Sequence, residues 1–317
     1  MFKVAVIVPI YKSEPFLERC LKALFEQTLD SIQYIFIDDC SPDNSAILLE
    51  KVMSRYPMRK NDCWVIQHEE NKGVALTRQE GLNLVDAHYV AYCDSDDWVD
   101  LDYYEYLYLL AEKENIDMVC TPLLYEYSDS SKLVKFPYKE ENHHNMLLGE
   151  GVISGGLANK FVRAQLYKDS QIKFPNLSIG EDAYVSTILR YNSRKTFCVS
   201  DVLYHYNQMN MNSVVTCYSK VKCCDMIKCI HLIDSFLSSK EDYNLFRERM
   251  IHLKFSIRNQ LLFHKELRDL ELWKETFPEI GKYILSIKNV SFKLRLLVFL
   301  ADCGMSKFVV KIVDLRK

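Results

Sequence analysis

Asp94-Ser95-Asp96-Asp97 sets three carboxylates and a hydroxyl directly after the apolar run Tyr89-Val90-Ala91-Tyr92-Cys93. A short run of this kind reads as a buried parallel strand, so the acidic residues stand where that strand leaves the sheet. Ligands of open α/β sheets bind in the crevice at the carboxyl ends of strands. Carboxylates packed this closely repel one another, and a divalent cation or a cationic partner offsets that cost. A helix is expected to begin near Asp100 or Leu101, and one Asp or Ser would be enough to cap it. Three carboxylates in four positions exceed that need and favour a hard cation that prefers oxygen ligands.

Three further groups carry chemical potential. Ile37-Asp38-Asp39-Cys40-Ser41 ends a second strand-like run, where a carboxylate can accept a hydrogen bond from a nucleobase N–H. Asn71-Lys72-Gly73 and Arg78 follow a third run and offer cations to a diphosphate, although most helical arginines only solvate a face. Gly180-Glu181-Asp182 opens a helix; its acids suit the positive end of the helix dipole, and equally suit a general base. The usual phosphate cradles are missing, because no G-x-G-x-x-G follows the first strand and no G-x-x-x-x-G-K-[ST] occurs. That strand ends Val8-Pro9-Ile10-Tyr11-Lys12-Ser13-Glu14-Pro15. A proline there donates no backbone N–H to phosphate. A bound diphosphate would therefore need Mg²⁺ or Mn²⁺ held at Asp94–Asp97.

The elements that must position these groups alternate. Val4–Ile10, Tyr34–Ile37, Trp64–Gln67, Tyr89–Cys93 and Met118–Leu124 read as strands. Phe16, Leu17, Cys20, Leu21, Leu24 and Phe25 repeat at helical spacing between the first two. Helices are also expected at Asn44–Arg55, Val74–Val85 and Leu101–Glu114. Strands separated by helices of this length make βαβ units and a doubly wound, mostly parallel sheet. Beyond about residue 125 the rhythm changes. Ser128–Asn145 is polar, with His143-His144 in a solvated setting, and Gly149–Gly156 supplies a turn. Leu157–Tyr167 and Ala183–Tyr191 look helical, and from about Lys220 the chain reads as almost continuous helix. The expected division is a catalytic domain over 1–215, with a nucleotide-binding half 1–125 and an acceptor-binding half 126–215, followed by a helical region over 216–317.

With 317 residues, 49% of them hydrophobic, the chain can bury a full core, and a net charge of −3 gives no reason to expect nucleic acid as a partner. Its 11 cysteines are odd in number and fall mostly within apolar runs, and no secretory leader is recognisable ahead of them. Reduced thiols and a cytoplasmic location are expected. Cys223, Cys224, Cys229 and His231 lack a C-x-x-C pair and lie in a helical pattern, so a structural role is expected rather than zinc.

Together, Val6-Ile7-Val8-Pro9-Ile10-Tyr11, Asp38-Asp39-Cys40-Ser41, Asn71-Lys72-Gly73 with Arg78, and Asp94-Ser95-Asp96-Asp97-Trp98 resemble glycosyltransferase family 2. The resemblance spans roughly residues 2–215 and implies a GT-A fold with a helical C-terminal extension. It implies inverting transfer from a UDP-sugar to a glycan or lipid-linked glycan of a bacterial surface, with Mn²⁺ or Mg²⁺. In this resemblance Pro9 and Tyr11 line the base pocket and Asp39 faces the uracil. Asp94 approaches the ribose or sugar, and Asp96 ligates the metal. Glu14, Lys72, Arg78, Ser95 and Lys160 join the donor site, Lys160 through the pair Asn159-Lys160. Asp182 becomes the general base with Glu181 orienting the acceptor or its loop. His205, within Leu203-Tyr204-His205-Tyr206 and ahead of Asn212-Ser213, becomes a candidate third metal ligand. Lys12 and Gln79 depart from the asparagines more frequent in the family.

Two rival readings stand beside this one. A sugar nucleotidyltransferase also joins a doubly wound sheet to acidic metal ligands, but it would present a glycine-rich, arginine-bearing loop where Pro9–Pro15 stands. A non-catalytic nucleotide- or glycan-binding module would have no use for Asp182. The segment 288–317 carries seven Lys or Arg against Asp302 and Asp314, a net charge of +5. Its apolar run Leu296–Ala301 is too short to span a bilayer, so 289–317 reads equally as a segment lying on the inner face of the cell membrane or as a helix packed on its own domain with a solvated basic side.

Overall fold

The computed structural model of the chain describes residues 1–134, 156–201, 203–210 and 219–315. The chain divides into two compact units, Met1–Ser213 and Val214–Lys317. His143-His144, most of the glycine turn from Gly149, and Asn212-Ser213 lie outside the described residues.

The first unit starts with β1 (Phe2–Ile10), α1 (Glu14–Phe25), β2 (Ile32–Asp38), α2 (Ser45–Met53), β3 (Cys63–Gln67), α3 (Val74–Asn83) and β4 (Ala87–Tyr92). Each strand is a short apolar run, and all seven residues of β2 are buried. Helix α1 begins with Pro15 in its first turn, where the missing N–H costs nothing, and turns Leu17, Cys20, Leu21, Leu24 and Phe25 into the core. After β5 (Trp98–Val99) and α4 (Tyr103–Glu114) come β6 (Met118–Cys120), β7 (Leu123–Glu126) and β8 (Ser131–Val134). Then follow β9 (Lys160–Arg163), α5 (Ala164–Asp169), α6 (Glu181–Asn192), β10 (Thr196–Cys198) and β11 (Tyr204–Asn207).

Seven strands form one sheet in the order β10-β6-β9-β4-β1-β2-β3, and β9 runs antiparallel to both its neighbours. The remaining pairs are parallel. Two expectations need correction. The pattern over Leu157–Tyr167 is not one helix: Lys160–Arg163 fill the gap between β4 and β6 as a strand, with Phe161 stacked on Tyr89 at 4.7 Å. A short apolar run carries no periodicity strong enough to separate the two forms, and the ladder decides. The run Met118–Leu124 is also two strands, broken at Pro122. Proline has no N–H for a ladder, so β6 stays in the large sheet while β7 joins a smaller one, β5-β11-β7-β8.

The second unit is helical: α7 (Lys220–Ser238), α8 (Tyr243–Phe263), α9 (Leu270–Glu275), a 3₁₀ stretch Pro278–Ser286, α10 (Phe292–Leu300) and α11 (Ser306–Asp314). Cys223 and Cys229 are buried on α7. No helix among the described residues is long and apolar enough to cross a membrane.

Candidate active site

The acidic loop begins where β4 stops pairing. Cys93 N donates to Ile7 O at 3.0 Å, and the chain then leaves the sheet at Asp94. Strand β11 of the smaller sheet fixes the loop from the other side. Tyr204 Oη accepts from Asp94 N at 3.0 Å and donates to Asp97 Oδ2 at 2.8 Å, while Asn207 N donates to Asp97 Oδ1 at 2.8 Å. Burial, then Asp96 and Asp94, push the Asp97 carboxyl well above its usual range. Asp97 is therefore scaffold. Asp96 is only partly buried and accepts from Asn210 Nδ2 at 2.8 Å. Burial raises its carboxyl too, with Asn210 pulling the other way and Asp94 adding to the rise.

Arg78, on α3, is buried and spans two motifs. Its Nη2 donates to Asp94 Oδ1 at 2.8 Å and its Nη1 to Glu181 Oε1 at 2.5 Å. Burial works against the guanidinium charge, but Asp94, Glu181 and Asp182 outweigh it and hold Arg78 protonated. Glu181 is buried at the start of α6, and burial followed by Asp182 raises its carboxyl while Arg78 opposes the rise. In this structure Arg78, expected near the diphosphate, holds carboxylates on both terminal nitrogens. It joins the acidic loop to the Glu181-Asp182 pair.

Asp39 is buried at the end of β2 and shapes the loop that follows β3. Its Oδ1 accepts from Lys72 N and its Oδ2 from Gly73 N, both at 2.8 Å. Gly73 sits at φ +85° as the residue preceding α3, a backbone state that side chains disfavour. His68 Nδ1 lies 2.7 Å from Asp39 Oδ1, and His68 Nε2 lies 2.9 Å from Glu80 Oε2. The Lys72 ammonium stands 3.7 Å from Glu80. Pro9 and Tyr11 border the end of β1, with Tyr11 43% exposed.

Glu14 and Ser95, both expected at the donor site, also make contacts that brace the surrounding loops. Both Glu14 oxygens accept from Asn44, its N at 3.1 Å and its Nδ2 at 2.9 Å, while Asp43 accepts from Glu14 N at 3.2 Å. The first turns of α1 and α2 thus exchange carboxylates, which suits their positive ends. Ser95 Oγ is buried 2.6 Å from Ser13 Oγ and latches the acidic loop to the segment after β1.

Asp182 is partly exposed, and its Oδ1 accepts from Ala183 N at 2.7 Å. A Cβ placed on Gly156 would come 2.9 Å from Asp182 Oδ2, so the two chain segments touch. Lys160 does not reach toward a ligand from the surface. It is buried, donating to Gly156 O at 2.5 Å and to Asn159 Oδ1 at 3.1 Å, and burial followed by Arg190 pushes its ammonium down to about 7. Its place is beneath the backbone that flanks Asp182.

His205, expected as a metal ligand, has a carboxylate partner on each ring nitrogen. Its Nδ1 lies 2.7 Å from Glu126 Oε1 and its Nε2 3.0 Å from Asp100 Oδ1, leaving neither nitrogen to face a cation. The ring stacks on Trp98 at 5.0 Å, and the Arg19 guanidinium covers Trp98 at 3.4 Å. This column braces β11 against β5.

Asp94 and Asp96 remain as oxygen donors; the Asp96 carboxyl is raised chiefly by burial and further by Asp94, and a hard cation bound there would favour its ionised form. No cluster of three or more His, Cys, Asp or Glu suited to a metal occurs among the described residues. Two carboxylates fit a cation whose other ligands come from a diphosphate and water, as is usual for Mg²⁺. Sequence reasoning missed His68, Tyr204 as a loop clamp, Asn210 and Ser13. Only His68 carried a signal, being the first residue beyond a strand end.

Glycosyl transferase family 2 matches over residues 5–167. EpsH of Bacillus subtilis is 30% identical over 226 residues, covering 68% of this chain and 64% of its own length. Glycosyltransferase GlyA of Streptococcus pneumoniae is 28% identical over 64% of this chain and 30% of its own length. The chain thus spans less than two thirds of either relative. The crystal structure of Staphylococcus aureus TarS 1-349 in complex with UDP-GlcNAc superposes with a TM-score of 0.78 at 21% identity, over 98% of this chain and 90% of that one. The fold is the expected GT-A arrangement, and with half the sequence matched the chain belongs to glycosyl transferase family 2.

Proposed function

We propose that this glycosyltransferase moves a sugar from a uridine diphosphate donor to a hydroxyl of a glycan or lipid-linked glycan acceptor, with inversion at the anomeric carbon. The observation that carries the reading is the Arg78 bridge, which sets Asp94 and Glu181, and with Glu181 its neighbour Asp182, around one guanidinium. Asp182 takes the proton of the acceptor hydroxyl as its oxygen attacks the anomeric carbon. The bond to the diphosphate breaks on the opposite face, the electron pair leaves with UDP, and a single displacement inverts the centre. Glu181, pinned by Arg78, orients the helix start that presents Asp182. Asp94 and Asp96 would hold Mn²⁺ or Mg²⁺, which supplies charge stabilisation to the leaving diphosphate. Asp39 supports the base side through the 72–73 loop, next to Pro9 and Tyr11.

The choice of donor is supported by TarS, solved with UDP-GlcNAc and with UDP. The acceptor class is supported by similarity to a poly(ribitol-phosphate) beta-glucosyltransferase of Bacillus spizizenii, 26% identical over 208 residues. Metal use is supported by a Pyrobaculum calidifontis mannosyltransferase solved with GDP-Man and Mn²⁺, at a TM-score of 0.52. Ten free cysteines among the described residues suit a reducing, cytoplasmic setting. Calorimetry with UDP tests the metal: Mn²⁺ tightens binding to the wild type and leaves Asp96→Ala unchanged. Equal UDP affinity with and without Mn²⁺ in the wild type would remove it from the mechanism.

A further inference from the structure

Helices α10 and α11 pack against each other in the second unit and repeat one exposure pattern. Val298 of α10 and Val309 of α11 are buried. On the outer side, Phe292 is 65% exposed with Lys293 beside it, and Leu296 lies one turn on at 39%. On α11, Lys307 precedes Phe308, 57% exposed, and Lys311 follows at the next turn. Positions i and i+4 share a helix face, and i+1 lies about 100° round at its border.

The charges are sorted as well. Asp302 pairs with Arg258 at 2.7 Å, and Asp314 pairs with Arg268 through both oxygens at 2.8 and 3.0 Å. Both acids of the segment are thereby consumed within the helical unit. Lys293, Lys307 and Lys311 enter no ion pair among the described residues. What remains outside is lysine interleaved with exposed phenylalanine and leucine.

We infer that this face of α10 and α11 is a docking surface for an anionic lipid bilayer, with Phe292, Leu296 and Phe308 entering the headgroup boundary and the three lysines pairing with lipid phosphates. A soluble polyanion would satisfy the lysines alone and would leave two exposed aromatic rings in water. A lipid surface satisfies both halves of the pattern. The inference is independent of the donor chemistry, since it concerns only the helical unit.

The test is sedimentation of the full chain with vesicles of phosphatidylglycerol and phosphatidylcholine, and with phosphatidylcholine alone. Binding to the anionic vesicles, weakened by salt and absent from the neutral ones, is expected. Each of Lys293→Gln, Lys307→Gln and Lys311→Gln should weaken it by about fivefold. Phe292→Ser with Phe308→Ser should weaken it while preserving its salt dependence. These side chains are exposed, so the variants keep the thermal midpoint and the UDP affinity of the wild type. Failure to bind anionic vesicles, or binding unaffected by the lysine changes, overturns the inference. Lysine-dependent binding to soluble polyphosphate that the phenylalanine changes leave intact, with vesicle binding equally insensitive to them, also overturns it in favour of a polyanionic partner.

Discussion

Arg78 and Glu181 are 103 residues apart in sequence, yet Nη1 of one donates to Oε1 of the other at 2.5 Å in a buried pair. The second terminal nitrogen holds Asp94, so one guanidinium spans the acidic loop and the start of α6. Removing one partner of a buried ion pair leaves an uncompensated charge, and that loss typically costs about 3–5 kcal/mol. Arg78→Ala should lower the urea-unfolding free energy by about that amount. Arg78→Lys should recover only part, because an ammonium cannot fork between two carboxylates. Wild-type stability in Arg78→Ala would mean that the bridge holds nothing together.

The surplus of acid predicts a pH dependence. Glu181 is raised from 4.5 to about 7, chiefly by burial and then by Asp182, with Arg78 opposing. An acid with a higher pKa in the folded state makes that state the better proton binder. Stability from this group is therefore fully present below about 4.5 and is lost as pH rises through about 7. Asp96 and Asp97 shift in the same direction. Thermal midpoints of the metal-free protein should fall between pH 5 and pH 7.5, and Glu181→Gln should flatten that slope. A midpoint that climbs over this range in the wild type would contradict the assignment.

Gly156 leaves room for Asp182, since a Cβ there would stand 2.9 Å from Oδ2. Gly156→Ala should turn the carboxylate away at little cost in stability, because only the far end of a side chain has to move. The expected signature is a kcat loss of about 10²-fold, typical of a misplaced catalytic group, with the donor KM nearly unchanged. A raised donor KM with intact kcat would place Asp182 on the donor side.

His205 serves as a brace, and its replacement separates that role from metal binding. His205→Ala leaves Glu126 and Asp100 without their partner and removes a ring stacked on Trp98. The thermal midpoint should drop, while Mn²⁺ affinity in the presence of UDP stays within about twofold of wild type, far less than losing a ligand would cost. Retained stability with lost Mn²⁺ affinity would restore the ligand role.

Local patterns made the nucleotide half legible. Short apolar runs ending in Asp39 and in Asp94–Asp97 sit at strand ends because a run of that length can be little else between helices. The partners of Arg78, His205 and Lys160 were not legible, because each is chosen by segments far away in the chain. Lys160 is expected at the donor site, but the run around it gives no sign that β9 places it inside a seven-stranded sheet. Glu14 stood beside the right strand end, but the first turn of α2 claims its carboxylate. Met118–Leu124 reads as one strand despite Pro122, and nothing in the run shows that its two halves enter different sheets.

The most direct test of the account is turnover by Asp182→Asn at unchanged donor affinity. UDP release from a panel of UDP-sugars, with glycan acceptor and Mn²⁺ present, should fall by about 10²–10⁴-fold relative to wild type, the usual contribution of a positioned base. Calorimetry on the same variant should return the wild-type Kd for UDP. Turnover close to wild type in Asp182→Asn, with its fold and UDP binding intact, would contradict the assignment of the base and the site built around it.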